Sequence, residues 1–406
     1  LLYLAAILEQ NKIQVDVKNY STYQTDTAIA DLPEADIYGI TTTSMELLQA
    51  NRFAKLIKDK FKKSKVFLGG PGTCTSEYID WNVIDSICIG EAEITILNML
   101  KDFEKNNLQK IYHGEPILNL DTLPFPSRHL LKDNLGGNVF AYNEKYQQGG
   151  TTVIMTARGC PFHCAFCANP NVTKLGGGKV RYRSAENIYQ EMKHIVENYG
   201  IKQFRISDDL FSFNKKRVIE VCDKIGNLNI NWRISARTTP FDHELAKVMF
   251  DAGCREVSFG VESFDDDVLK ILNKQTTAKD NVNGLEVAHS AGLKARVLLM
   301  IRTPGQTSKT VPINISYLEK VPYNIAACTR FIPMPGSDVW NNPSKYNIEI
   351  LNKNLDEYNI CFFGSKGKHK LLDIIKLKDR NMDEVNKESY EFVDYLEKTG
   401  KLNTGK

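Results

Sequence analysis

An α/β chain of two parallel-sheet domains followed by a small, mainly helical appendage is predicted by three observations. Short apolar strand patterns alternate with amphipathic helical patterns over residues 1–105. The alternation fades over 106–150, and a second one fills 151–340. In order, the first region reads as helix LLYLAAILEQ, strands IQVDVKNY and ADIYGITTTS, helix MELLQANRFAKLIKDKF, strands SKVFLGGPG and SICIGEAE, and helix EITILNMLKDF. Apolar strands linked by crossover helices make a doubly wound, Rossmann-like sheet. Residues 106–150, rich in proline and glycine (IYHGEPILNLDTLPFPSRHLLKDNLGG), form an ordered linker. Strands near 151–157, 202–208, 230–237, 255–262, 294–301 and 324–332 then begin six strand-and-helix units. Six units over about 180 residues suit a partial (β/α)6 barrel of the TIM type, since a full barrel of eight takes about 250. Residues 341–406 turn polar and end in the charged helix MDEVNKESYEFVDYLEKTGK.

With 52 Lys plus Arg against 49 Asp plus Glu and a net charge of +3, nothing in the balance calls for nucleic acid or an anionic membrane. No apolar run reaches the length of a bilayer span, and the opening residues lack signal-peptide features, so a cytoplasmic location is expected. The chain starts at Leu1 within a helical pattern, which suggests that part of the first domain precedes it. Nine cysteines, of which only three cluster, suit a reducing compartment, with Cys74, Cys88, Cys222, Cys254, Cys328 and Cys361 read as small core residues.

The clustered three, Cys160, Cys164 and Cys167, lie in ARGCPFHCAFCANP, directly after the first barrel strand. Active sites of parallel barrels sit at the carboxyl ends of the strands, so location and composition agree. A zinc site needs a fourth ligand, and His163 would have to fold back inside its own loop to supply it. An iron-sulfur cluster takes one thiolate per iron, so three thiolates on four irons leave one iron open for chemistry. Other polar residues fall at strand ends: Asp208 and Asp209, Ser235 and Arg237, Glu262 and Ser263, and Arg302 before Thr303, Pro304 and Gly305. Tyr142, Tyr146, Tyr182, Trp232 and Phe331 are candidate pocket aromatics, although such residues are more often core.

The C-x-x-x-C-x-x-C loop after the first strand of a six-unit barrel resembles the radical S-adenosylmethionine superfamily. The resemblance implies a [4Fe-4S] cluster on Cys160, Cys164 and Cys167. It also implies S-adenosylmethionine on the open iron, reductively cleaved to a 5'-deoxyadenosyl radical. Phe166, just before the last cysteine, falls where the family places an aromatic near the adenine. GVES (260–263) is similar to the family's fourth-strand segment, and SDD (207–209) holds the place of its ammonium-binding segment. Asp208, Asp209, Ser235, Arg237, Glu262 and Ser263 are thereby candidate S-adenosylmethionine ligands, carboxylates for the amine and ribose and arginine for the carboxylate. RTPGQT resembles the family's PGE turn with Gln306 in place of the acid.

The first domain, EADIYGITTTS…KVFLGGPG…SICIGEAE with the linker LDTLPFPSR, resembles the cobalamin-binding domain that precedes many such barrels. Thr41, Thr42, Thr43, Ser44, Gly69, Gly70, Gly90 and Glu91 are then candidate cobalamin contacts at strand tips. A dinucleotide site is disfavoured, because no G-x-G-x-x-G follows a strand. The expected activity is cobalamin-dependent methyl transfer to an unactivated carbon of a small molecule or peptide, with flavodoxin or ferredoxin as external electron donor. The alternatives are a radical cyclisation, rearrangement or oxidation without methyl transfer, and a non-catalytic iron-sulfur or cobalamin sensor.

Overall fold

The computed structural model describes residues 1–20, 25–134, 150–359 and 373–402. Helix α1 (Leu2–Gln10) packs Ile7 against Ile117, Leu120 and Leu123 of the linker. Helix α2 (Thr25–Asp31) precedes a parallel sheet of β1 (Ile37–Thr41), β2 (Lys65–Gly69), β3 (Ser86–Ile89) and β4 (Ile111–His113), side by side in sequence order. Alternate strand residues face opposite ways, so the sheet is apolar on both faces. Helix α3 (Leu47–Lys60) lays Leu47, Ala50, Ala54 and Ile57 over Val66, Leu68 and Ile87. Helix α4 (Thr95–Glu104) lays Met99 over Phe67 and Cys88 on the other face.

Two features depart from the sequence reading. Residues 13–20 form no strand although they alternate; Val17 is buried, but β1 pairs only with β2 among the described residues. Alternation specifies an extended half-buried segment, and a strand also needs a neighbouring edge. Conversely, β4 lies inside the expected linker, too short to show a period.

The second sheet begins with β5 (Thr151–Ile154). Next comes the antiparallel hairpin β6 (Ala157–Arg158) and β7 (Arg181–Tyr182), which encloses the cysteine loop and α5 (Asn169–Leu175). Then follow α6 (Ala185–Tyr199), β8 (Gln203–Ile206), α7 (Lys215–Ile225), β9 (Asn231–Ala236), α8 (His243–Asp251), β10 (Cys254–Glu262), α9 (Asp266–Ile271), α10 (Ala278–Ser290), β11 (Lys294–Ile301), α11 (Thr310–Leu318) and β12 (Ile325–Arg330). All six long strands are parallel in the order β5-β8-β9-β10-β11-β12, the predicted partial barrel. Their outward residues, among them Phe204, Trp232, Ile234, Phe259 and Val297, form one core with the helices. The inward set of Ser235, Ser258 and Arg296 lies in register across β9, β10 and β11.

Beyond β12 come α12 (Asp338–Asn341), the antiparallel pair β13 (Ile348–Ile350) and β14 (Ile375–Leu377), and α13 (Met382–Lys398). The expected appendage is therefore two different things. The strand pair closes a second core with Leu355 and Tyr358, while Phe392 and Leu396 of α13 join the main barrel core and Leu402 bridges to Ala326. Helix α13 completes the sixth unit after an insertion. The linker is tied down too: Arg128 meets Glu191 of α6 at 2.7 Å and donates to Val153 O at 3.0 Å, and Arg183 meets the same fully buried carboxylate. A buried carboxylate between two guanidinium groups is costly to leave unpaired, which fixes where the linker crosses the barrel.

Candidate active site

The cysteine loop leaves β6 through Gly159, whose φ of +96° lies in the left-handed region that glycine tolerates. It is held from the next strand tip. Buried Asp208, after β8, accepts from Thr156 N at 2.6 Å, Thr156 Oγ1 at 2.5 Å and Ala157 N at 3.0 Å, while Asp209 accepts from Gly159 N at 3.0 Å. Burial raises the pKa of the Asp208 carboxyl above its usual value, opposed by the charge of Arg217 and these bonds. Cys160 N donates to Thr173 Oγ1 of α5 at 3.1 Å, closing the loop on itself.

Each cysteine sulfur faces one N–H. The Phe162 amide serves Cys160, Arg237 Nη1 serves Cys164 at 3.5 Å and the Asn169 amide serves Cys167 at 3.4 Å. Burial holds the Cys160 thiol above its usual range and pushes Cys167 up to about 11, and both feel the charge of Cys164 and of Asp209. The thiols are near neighbours, yet among the described residues no three His, Cys, Asp or Glu side chains converge on one ion. A cluster that takes one thiolate per iron fits such a spacing, and its positive irons would displace the thiol protons. His163 is exposed, and only its carbonyl takes part in the local bonding, accepting from Asn273 Nδ2 at 2.7 Å.

A collar closes the other side of the loop. The connection between α9 and α10 runs beside it: Ala165 N donates to Leu272 O at 2.8 Å, and Arg237 Nη2 donates to Lys274 O and, at 3.2 Å, to Gln275 O. Asn273 and Gln275 have positive φ, 49° and 55°. Lys274 Nζ meets Glu262 Oε1 at 2.9 Å and stands 5.8 Å from the Phe166 ring centre. Glu262 itself has φ +64° at the end of β10, and Arg302 has φ +59° at the end of β11. Left-handed non-glycine residues at two adjacent strand ends are the kind of backbone strain that gathers at functional sites.

The remaining expected residues divide. Ser235 is half-buried on the inner face, in register with Ser258. Ser263 turns away, its hydroxyl donating to Asn314 Oδ1 of α11 at 3.2 Å and accepting from Asp265 N. Gln306 Oε1 accepts from Arg302 N at 2.6 Å, a backbone cap in place of the acid of the PGE turn. Trp232 and Phe331 are core, Tyr182 is half-buried against Arg217, and Tyr142, Tyr146 and Cys361 lie outside the described residues. Cys88, Cys222, Cys254 and Cys328 are buried, and Cys74 is half-buried.

At the first sheet, Thr42 N donates to Gly69 O and Thr42 O accepts from Gly72 N, so this tip packs backbone on backbone. Gly70, at φ +88°, has room for no Cβ, which would lie 2.6 Å from Thr42 O. Ser44 is buried, whereas Thr41 and Thr43 are exposed, and a Cβ on Gly69 would meet nothing within 4 Å. Gly90, at φ +104°, adjoins Gly114. Glu91, expected at a ligand, instead binds the hairpin that carries the cysteine loop. It accepts from Arg181 Nη1 at 2.8 Å and Ile117 N at 2.8 Å and lies 3.2 Å from Arg158, which also pairs with Glu93. The carboxyl edge of the first sheet is thus bolted beside the cysteine loop. Arg158, Arg181, Thr156 and Lys274 escaped the sequence reading, since none sits in a spacing that marks chemistry.

A loop of three sulfurs, each with an N–H donor, at the mouth of a six-strand parallel barrel defines an iron-sulfur enzyme of the partial-barrel class. The family model of the radical SAM superfamily matches residues 154–313. An uncharacterized methyltransferase of Pyrococcus horikoshii is 30% identical over 386 residues, covering 88% of this chain and 80% of the relative. The chain belongs to the radical SAM superfamily and is an enzyme of it, and the cofactors of that family are a [4Fe-4S] cluster and S-adenosylmethionine. Cytidylyl-2-hydroxyethylphosphonate methyltransferase of Streptomyces wedmorensis is 27% identical over 230 residues, 54% of this chain, which spans 42% of that protein's length. The fold is that of the radical S-adenosylmethionine methyltransferase TsrM of Kitasatospora setae, solved with cobalamin and [4Fe-4S] cluster bound. The TM-score is 0.64 at 16% identity, over 83% of this chain and 73% of that one. No helix among the described residues is long and apolar enough to cross a membrane.

Proposed function

We propose that this enzyme transfers a methyl group to an unactivated carbon of a small-molecule or peptide substrate, using S-adenosylmethionine at the barrel mouth and cobalamin at the edge of the first sheet. The observation that carries the reading is the bolt of Arg158 and Arg181 onto Glu91 and Glu93, which sets the strand tips of the first sheet beside the cysteine loop. When bound, the cluster and S-adenosylmethionine supply a hydrogen-abstracting 5'-deoxyadenosyl radical, and cobalamin supplies the methyl group. Cys160, Cys164 and Cys167 hold the cluster, and Asp208 and Asp209 hold the backbone of their loop. Glu262 and Phe166 present a carboxylate and an aromatic face to a cationic amino acid, with Lys274 beside both to take the carboxylate. Thr41 leaves an exposed hydroxyl and Gly69 the open backbone that a broad macrocycle needs. The cluster's electron comes from an external donor such as flavodoxin or ferredoxin.

The test is anaerobic reconstitution of the full chain with iron and sulfide, then assay of iron and corrinoid content and of 5'-deoxyadenosine after S-adenosylmethionine and reductant are added. Nucleoside formation that disappears when Cys160, Cys164 and Cys167 are all changed to Ala, together with corrinoid retention and methylated product, is expected. Nucleoside formation without corrinoid would keep the radical chemistry and end the methyl-transfer reading. A cyclase-type reaction then becomes the better account, because the anaerobic magnesium-protoporphyrin IX monomethyl ester cyclase of Cereibacter sphaeroides is 25% identical over 245 residues.

A further inference from the structure

The three sulfur donors differ in origin. Phe162 N and Asn169 N belong to the cysteine loop itself, so they travel with it, whereas the donor to Cys164 comes from Arg237 at the end of β9. Arg237 is buried, with 6% of its surface exposed, and its position is fixed on three sides. The Phe162 ring centre lies 3.8 Å from its guanidinium carbon, Nη1 points at Cys164 Sγ, and Nη2 is held by the carbonyls of Lys274 and Gln275. The sequence assigned this arginine to the carboxylate of S-adenosylmethionine, yet both terminal nitrogens are engaged by the protein. Three of its five N–H donors are thus taken by the protein, and Nε is buried without a partner.

We propose that Arg237 is a positioning residue for the cluster: it holds the Cys164 sulfur against the collar and raises the cluster's reduction potential. This rests on the reading of the three cysteines as cluster ligands. The physical reason is the charge that arrives on reduction. A cluster that gains an electron places more negative charge on its thiolates, and an N–H donor at sulfur stabilises that state more than the oxidised one. Burial leaves the field of the guanidinium little screened. No other side chain described here donates to a cluster sulfur, so among the three contacts this one is open to substitution.

The experiment compares full-length, anaerobically reconstituted wild type, Arg237→Gln and Arg237→Lys. Midpoint potential is read by mediated redox titration followed by electron paramagnetic resonance, and S-adenosylmethionine affinity by the change in the reduced-cluster spectrum. Arg237→Gln is expected to shift the potential to more negative values with ligand affinity unchanged, and Arg237→Lys, which keeps the charge, to recover part of the shift. An unchanged potential in Arg237→Gln overturns the proposal, as does weakened ligand affinity without a potential shift, which would return Arg237 to the ligand's carboxylate. If Arg237→Gln holds no cluster, Arg237→Lys alone decides: it cannot span Cys164 and both carbonyls, so a wild-type potential overturns the proposal. A wild type without cluster fails the family assignment instead, so the two failures are told apart.

Discussion

The two parallel sheets use their carboxyl edges differently. At the barrel rim, side chains do the work: Asp208, Asp209, Arg237, Glu262 and Lys274 each reach the cysteine loop or its collar. At the first sheet, backbone packs on backbone at Thr42, Gly69, Gly70 and Gly72, and the acidic tip residues Glu91 and Glu93 face the barrel. A rim that positions small reacting groups needs fixed charges and donors, whereas a rim that receives a large flat ligand needs clearance. The largest expected break of this contrast lies at Asp208. Asp208→Ala leaves two buried amides and a hydroxyl without their acceptor, and at about 1–3 kcal/mol for each unsatisfied group it should cost several kcal/mol of stability and most of the bound iron. Asp209→Ala, at an exposed position with one described bond, should cost about 1 kcal/mol or less. Urea midpoints and iron content after reconstitution check both.

The next effect separates two adjacent glycines at the tip of the first sheet. Gly70→Ala meets both a left-handed φ and the Thr42 carbonyl, so a loss of at least about 1–2 kcal/mol is expected from the backbone alone. Gly69→Ala adds a methyl group into open space and should change the stability read from urea unfolding by no more than about 0.5 kcal/mol. If the macrocycle lies on this tip, Gly69→Ala should lower corrinoid retention while stability holds. Equal corrinoid content in Gly69→Ala and wild type would place the macrocycle elsewhere.

What the sequence carried follows the same division. All six barrel strands were legible because apolar residues hold the outward positions along them and their helices keep a clear stripe. The cysteine loop was legible because metal ligation fixes both residue type and spacing. The roles of Asp208 and Ser263 were not, since a carboxylate or hydroxyl at a strand end has the same letter whether it faces a ligand, an amide or a neighbouring helix. The packing of helix α13 was not legible for a different reason. Its amphipathic pattern shows one buried face but not which surface covers it, and about 50 residues separate it from β12. Lys274 had no local signal at all, because it reaches the site through the fold of the α9–α10 connection.

The bolt between the domains should be sensitive to acid. Burial alone would raise the Glu91 carboxyl, but the bonds from Arg181 and Ile117 and the charges of Arg158 and Arg181 bring it below its ordinary value of 4.5. A carboxyl whose folded value is depressed contributes stability that is fully present above the unfolded value and is lost as pH falls through the folded one. Stability should therefore be level above about pH 5 and decline below pH 4.5, more steeply than in Glu91→Gln, which lacks the titrating group. Urea midpoints of both proteins across this window measure the difference. Parallel curves would mean that the bolt contributes little.

The smallest expected effect sharpens the barrel side, where two neighbours in GVES face opposite ways. Ser263 Oγ lies between Asn314 Oδ1 and Asp265 N, at 3.2 and 3.1 Å, and so helps to start α9 rather than to face the mouth. Ser263→Ala should cost about 1 kcal/mol of stability, the worth of one typical hydrogen bond, and leave the affinity for S-adenosylmethionine unaltered. Glu262→Gln removes a charge-assisted partner at the mouth and should weaken that affinity about tenfold, equivalent to about 1.4 kcal/mol. Because the two residues share a backbone turn, any general distortion would move both affinities together. Weakened binding in Glu262→Gln alone assigns the mouth to the carboxylate, whereas an equal loss in Ser263→Ala would mean that the turn itself shapes the ligand site.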